Sequence, residues 1–177
     1  GILTAPEERL GHAAIPSMNL IENTNLTAHH KESLIGKNGI INWTKTKKLT
    51  DQIIKVFDVR TPNNEVSASS LSGGNLQKFV IGREILQNPS VLIVNQPTWG
   101  VDAAAANSIH QAILDLALTG SAIILISQDL DELIEVSDSF AAINGGRISE
   151  KIDTSGLTID EIGLMIGGTG KHWNNDN

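Results

Sequence analysis

Two short aliphatic runs most constrain the fold. Val91 to Val94 and Ala122 to Ser127 are separated by one helix-length segment, and a further helical pattern precedes the first run. Runs of branched aliphatics this short read as strands buried on both faces. Strand alternating with helix predicts an α/β fold built on a parallel sheet. In such sheets, ligands bind outside the carboxyl ends of the strands. Those ends are Asn95-Gln96 and Gln128. The residues there, rather than the aliphatic runs, carry whatever chemistry the chain performs.

The helix ahead of the first run opens on Ser72-Gly73-Gly74 within Leu71-Ser-Gly-Gly-Asn-Leu-Gln-Lys78. Leu76, Phe79, Val80, Arg83 and Leu86 fall at helical spacing and predict one mostly apolar stripe. Ser72 is a natural N-cap, and two glycines leave backbone N–H groups uncovered. A helix start carries unpaired donors and roughly half a unit of positive charge, which favours phosphate. On its own, Ser-Gly-Gly is an ordinary turn capping a helix.

Placed one helix before a buried strand, residues 71–78 and the strand ending Asn95-Gln96-Pro97-Thr98 together resemble the signature motif and Walker B strand of an ABC-type ATPase. The resemblance implies a partial P-loop NTPase core with an inserted helical subdomain. It implies that Ser72, Gly73, Gly74 and Asn75 contact the terminal phosphate of ATP held by an opposite domain. Family members carry Asp at position 95, which supports Mg2+, and Glu at 96, which polarises water. Here both are amides, poor ligands for a hard cation and no bases. Losing a general base removes roughly 10²- to 10⁴-fold in rate. Thr98-Trp99-Gly100-Val101-Asp102 continues the pattern into a D-loop-like segment, and Asp102 also reads as the N-cap of the next helix. Gln128 stands where the family has a phosphate-sensing His and cannot become cationic. Deliberate inactivation would explain positions 95 and 96, but one change would have sufficed, so Gln128 argues against it.

No G-x-x-x-x-G-K-[ST] string occurs. Gly167-Gly168-Thr169-Gly170-Lys171-His172 lacks the first glycine and the final hydroxyl and follows a helix; Gly36-Lys37 fails likewise. Without that loop nothing here cradles the β- and γ-phosphates. The resemblance therefore implies that the first third of a nucleotide-binding domain lies upstream. Pro6-Glu-Glu-Arg-Leu-Gly11 resembles the second ATP-binding domain of tandem-domain ATPases for sugar and nucleoside uptake, with Glu7 at the Q-loop position. Taken alone, Glu7-Glu8-Arg9 is an ordinary solvated charge cluster. The missing strands would leave apolar sheet exposed, which predicts self-association.

Composition excludes other classes. A net charge of −7 gives no support for nucleic-acid binding, and the Lys45, Lys47 and Lys48 cluster reads as a solvated helix face. The absence of cysteine excludes thiolate metal sites and disulfides. His29-His30 reads as an exposed pair, His12, His110 and His172 lack ligand spacing, and no metal site is expected. Asn25-Leu-Thr27 and Asn42-Trp-Thr44 match glycosylation sequons without any sign of secretion. No apolar run approaches the roughly 20 residues a membrane span needs.

The expected organisation is a Q-loop strand and exit at 1–9, a helical subdomain at 10–70, the core at 71–151, and a C-terminal helix with a flexible tail at 152–177. Within it, helices are expected at 17–26, capped by Ser17, and at 44–59, with Leu49, Ile53, Val56 and Phe57 inward. Residues 29–42 are expected to be irregular and 61–70 a polar linker. Further helices are expected at 102–118, 129–137 and 158–166, with a hairpin over 139–151 turning at Gly145-Gly146 and disorder from 167 to 177. By resemblance, ATP and Mg2+ are cofactors of the parent assembly. The implied partners are another ATP-binding domain, an integral-membrane permease and, indirectly, a solute-binding protein. The implied location is cytoplasmic, peripheral on the inner face of the cell membrane. Two functions compete: completing a partner's ATP site during import of simple sugars or nucleosides, or a non-catalytic regulatory or interaction module derived from this family.

Overall fold

The computed structural model describes residues 1–29, 34–36 and 38–173. Two compact units divide the chain, Gly1–Ile126 and a second from Ser127 onward.

The first unit centres on a three-stranded parallel sheet. β1 (Ile2–Ala5), β2 (Val91–Asn95) and β3 (Ala122–Ile126) lie in the order β1-β2-β3. Ile2 pairs with Val91 and Val91 with Ala122, so each row of three side chains shares a face. One face is covered: Ala5, Leu92 and Val94 are buried there, with Leu3, Ile123 and Leu125 packed against the core. The other face carries Ile2, 67% exposed, Ile124, 51%, and Ile126, 42%. The expectation of strands buried on both faces is therefore corrected. Branched aliphatics make the strands, but among the described residues helices cover one side alone.

That cover is α3 (Gly73–Ile85) and α4 (Ala103–Leu118), which pack on each other, α3 against β1 and α4 against β3. On its far side α3 meets α1 (Leu20–Ala28) and α2 (Trp43–Val56). It is thus buried nearly all round, from Leu76 through Ile85 apart from Lys78, rather than along one stripe. Arg83 and Glu84 are 1% and 0% exposed within it. Arg83 donates to Asn23 O at 3.0 Å, Ala13 O at 2.9 Å and, through Nε, Glu84 Oε1 at 2.8 Å. Glu84 also accepts from Thr27 and Gln87. Gly82 is where α3 and Phe57 touch, since a Cβ there would stand 2.5 Å from the ring.

Asn19, not Ser17, caps α1, in a reciprocal capping box with Glu22. The box spans four residues, Asn19 to Glu22, and Ser17 lies outside it. α2 is capped by Asn42 and ends at Val56, which is 58% exposed and not on the buried face of Leu49 and Ile53. Beyond it Asp58 takes a left-handed φ of 47°, which turns the chain away from the helix. The expected linker contains a 3-10 turn at Ala68–Ser70. His30 and Lys37 lie outside the described residues, as do 174–177.

The second unit is built around α5 (Leu130–Val136) and α6 (Ile159–Ile166). β5 (Ile143–Asn144) and β6 (Arg147–Ile148) pair antiparallel across Gly145 and Gly146, both at positive φ, as the turn requires. The rest of the expected hairpin differs: β4 (Ser139–Phe140) pairs with β7 (Ile152–Asp153). Ser149 Oγ takes the Ala142 N–H at 2.9 Å, a side chain replacing a backbone acceptor, and the ladder breaks there. α6 starts on a Thr158–Glu161 capping box. Residues 167–173 do not trail away as expected. Trp173 is 8% exposed beside Met165 and Phe140, and its indole donates to Met165 O at 3.1 Å.

Candidate functional site

The site begins where Leu71 leaves the 3-10 turn in extended conformation and Ser72 caps α3. Ser72 Oγ accepts from the Asn75 backbone N–H at 3.4 Å and from Asn75 Nδ2 at 2.9 Å. Ser72 accepts in both interactions, so neither uses the hydroxyl proton. Asn75 Oδ1 accepts from Arg60 N at 2.8 Å, so this amide braces the cap rather than pointing freely at a ligand. The N–H groups of Gly73 and Gly74 have no acceptor among the described residues. Ser72, Gly74, Asn75, Arg60, Lys78 and Asp102 line a cleft of about 340 Å³. Lys78 is 3.5 Å from Asp58 Oδ2 and donates to the Asp58 carbonyl.

The end of β2 lies behind this helix start. Gln96, 7% exposed, adopts a left-handed φ of 52°, which is strained for a residue with a Cβ. Its N–H donates to Ile126 O at 2.8 Å and its carbonyl accepts from Trp99 N at 3.2 Å. Gln77, one turn into α3 and 1% exposed, donates to Gln96 O at 3.3 Å and Pro97 O at 2.8 Å. Arg9 Nε donates to Gln77 Oε1 at 2.7 Å, and Arg9 Nη2 donates to Trp99 O. Partial desolvation lowers the Arg9 pKa from its ordinary value. Gly100, at a φ of 66°, and Val101 lie against Gly74, and Asp102 caps α4 through Ala105 N at 2.9 Å.

Sequence-singled residues thus meet in the first unit: Ser72, Gly74, Asn75 and Asp102 share the cleft, and Gln96 is tied to α3 by its carbonyl. Glu7 is exposed and enters none of these hydrogen bonds. Gln128 is exposed in the second unit, just before Asp129, the N-cap of α5. Nothing local in the sequence marks Arg9 and Gln77 for this role. Gln77 lies within residues 71–78 and Arg9 within a charge cluster, but their partners lie far along the chain. The donor set at the end of β2 does not fit Mg2+, because Asn95 and Gln96 offer neutral amide oxygens in place of carboxylates. Among the described residues no three His, Asp or Glu side chains gather as a metal site.

The fold is that of an ABC ATPase cassette. A solved ATP-binding subunit of an ABC transporter matches with a TM-score of 0.73 at 18% identity, over 94% of this chain and 68% of that one. A dimeric ATP-binding cassette in a post-hydrolysis state, bound to ADP and Pi, matches at 0.70 and 19% identity, over 88% and 64%. In sequence, the chain is homologous to sugar and nucleoside import ATP-binding proteins of the ABC type. It is 40% identical to the nucleoside import ATP-binding protein NupA of Lactococcus lactis subsp. cremoris, over 92% of this chain and 32% of that protein. It is 35% identical to the guanosine import ATP-binding protein NupO of Bacillus subtilis, over 96% and 33%. The xylose import ATP-binding protein XylG of Photobacterium profundum is 33% identical, over 92% and 31%. The chain spans about a third of the length of these curated relatives. No family profile matches it.

Proposed function

We propose that this chain is the C-terminal part of the second ATP-binding domain of a tandem-domain subunit that energises import of simple sugars or nucleosides. Its signature motif completes the ATP site of a partner domain, while its own hydrolytic site is degenerate. The observation that carries this reading is the donor cluster at the start of α3: two glycine N–H groups without acceptors among the described residues, beside the exposed Ser72. Together with the helix dipole, these suit the terminal phosphate of an ATP presented from outside the chain. Asp102 would belong to the D-loop and Glu7 to the Q-loop position. Asn95, Gln96 and Gln128 supply neither a carboxylate for Mg2+ nor a general base, so turnover falls to the partner domain's acids. Residues 10–70 would form the helical subdomain against an integral-membrane permease, with a solute-binding protein delivering substrate. The subunit would then sit on the cytoplasmic face of the cell membrane. Among the described residues no helix is long and apolar enough to cross a membrane itself.

The test is ATP hydrolysis by the full-length parent with its permease, wild type against Gly73→Asp. A side chain there would meet Arg9 Nη1, 3.0 Å from the Cβ position, and a carboxylate this close to the N–H groups of the helix start should nearly abolish turnover. Unchanged turnover would make the signature vestigial and leave the regulatory or interaction module as the better reading.

A further inference from the structure

One side chain beside the signature joins three segments distant in sequence. Arg9 lies just beyond β1. Its Nε reaches Gln77 on α3, 68 residues on, and its Nη2 reaches the Trp99 carbonyl, 90 residues on. Its Nη1 lies over Gly73, where a Cβ would stand 3.0 Å away. Gln77 passes the connection to the carbonyls of Gln96 and Pro97.

The chemistry of this contact is specific. A guanidinium is a rigid planar fork whose donor directions are set together, whereas an ammonium is a point charge. The acceptors are an amide oxygen and a backbone carbonyl, both neutral. Among the described residues Arg9 has no carboxylate partner, so a part-buried cation is held by dipoles alone. Such an arrangement makes geometry rather than charge neutralisation. The missing Cβ of Gly73 leaves room for Arg9 Nη1 at the start of α3, and the carbonyl of the left-handed Gln96 accepts from Gln77.

We propose that Arg9 is a positioning residue of the signature half-site. It locks the segment after β1, the signature N–H groups and the loop after β2 into one body. A shift of residues 6–9 then carries Gly73 and Trp99-Gly100 with it. The proposal rests on the reading that the signature completes a partner's ATP site.

The experiment uses the full-length parent with its permease and follows steady-state ATP hydrolysis. Arg9→Lys and Arg9→Met should each lower kcat about ten- to a hundredfold, the scale set by small misplacements of catalytic donors. KM for ATP should change less than about twofold, as for an interaction realised in the transition state. The thermal midpoint of Arg9→Lys should fall by no more than about 4 °C, the scale of one lost hydrogen bond. Gln77→Leu should give a loss of the same size, and the double variant with Arg9→Lys should be no worse than either alone. Wild-type kcat in Arg9→Lys, additive losses in the double variant, or losses that track a lowered midpoint would each overturn the proposal. Gly73→Asp run alongside separates the two readings. If it leaves turnover intact, trans completion fails; if it abolishes turnover while Arg9→Lys is silent, the role of Arg9 alone fails.

Discussion

At the residue scale, each glycine at the start of α3 has a distinct physical reason. Gly73 makes room for Arg9 Nη1, and Gly74 lies against Gly100 and Val101 of the following loop. Gly82, deeper in α3, is a packing glycine. An alanine there would drive its methyl to 2.5 Å from the Phe57 ring, so α2 and α3 must part. Gly82→Ala should therefore destabilise by about 1–3 kcal/mol in chemical denaturation, despite the better helix propensity of alanine. A neutral or stabilising result would mean that Phe57 swings away freely. Ser72→Ala should cost about 1 kcal/mol through the lost cap and should also weaken turnover of the parent. The caps Ser72, Asp102 and Thr158 were legible, because capping is decided within three residues. Arg9 and Gln77 were not, because nothing local marks a donor whose acceptor is 68 residues away.

At the element scale, α3 is the axis of the first unit. Its spacing announces a helix but not burial on every side, which follows from α1 and α2 covering the flank the sheet leaves open. By spacing Arg83 is one position of a mostly apolar stripe, and in the fold it is fully engaged with Glu84 and two backbone carbonyls. Removing one partner strands a buried charge, so Arg83→Met should cost about 3–5 kcal/mol in equilibrium unfolding. A cost below about 1 kcal/mol would show that Glu84 finds water or another donor. α6 gives a pH prediction. Glu161 is held below its ordinary pKa first by the hydrogen bond from Lys171, then by the Thr158 backbone and hydroxyl. A folded-state pKa below the unfolded one contributes stability above the unfolded value and loses it as pH falls through the folded value. Amide exchange in 158–166 should therefore accelerate on acidification through that range, and Lys171→Met should move the onset upward. Exchange indifferent to pH, once corrected for intrinsic rates, would contradict this.

At the scale of the whole molecule, the open sheet face matters most. Ile2, Ile124 and Ile126 line one face of a three-stranded sheet, with β1 and β3 both at its edges. The isolated chain should self-associate, and Ile124→Lys should reduce this. Light scattering at working concentration checks it, and a monomeric wild-type chain would contradict it. By itself, the sequence determined the parallel α/β class, the main helices and strands of the first unit, the phosphate-suited helix start and the amide side chains at positions 95 and 96. These are local matters of periodicity, capping and side-chain chemistry. The tertiary structure alone decided which faces are covered, the left-handed turn at Gln96 and the hydrogen bonds that join Arg9 and Gln77 to the loop after β2. It also decided the return of Trp173 onto α6. Each depends on side chains that meet through folding rather than through neighbourhood in the chain, and no periodicity or spacing records such meetings.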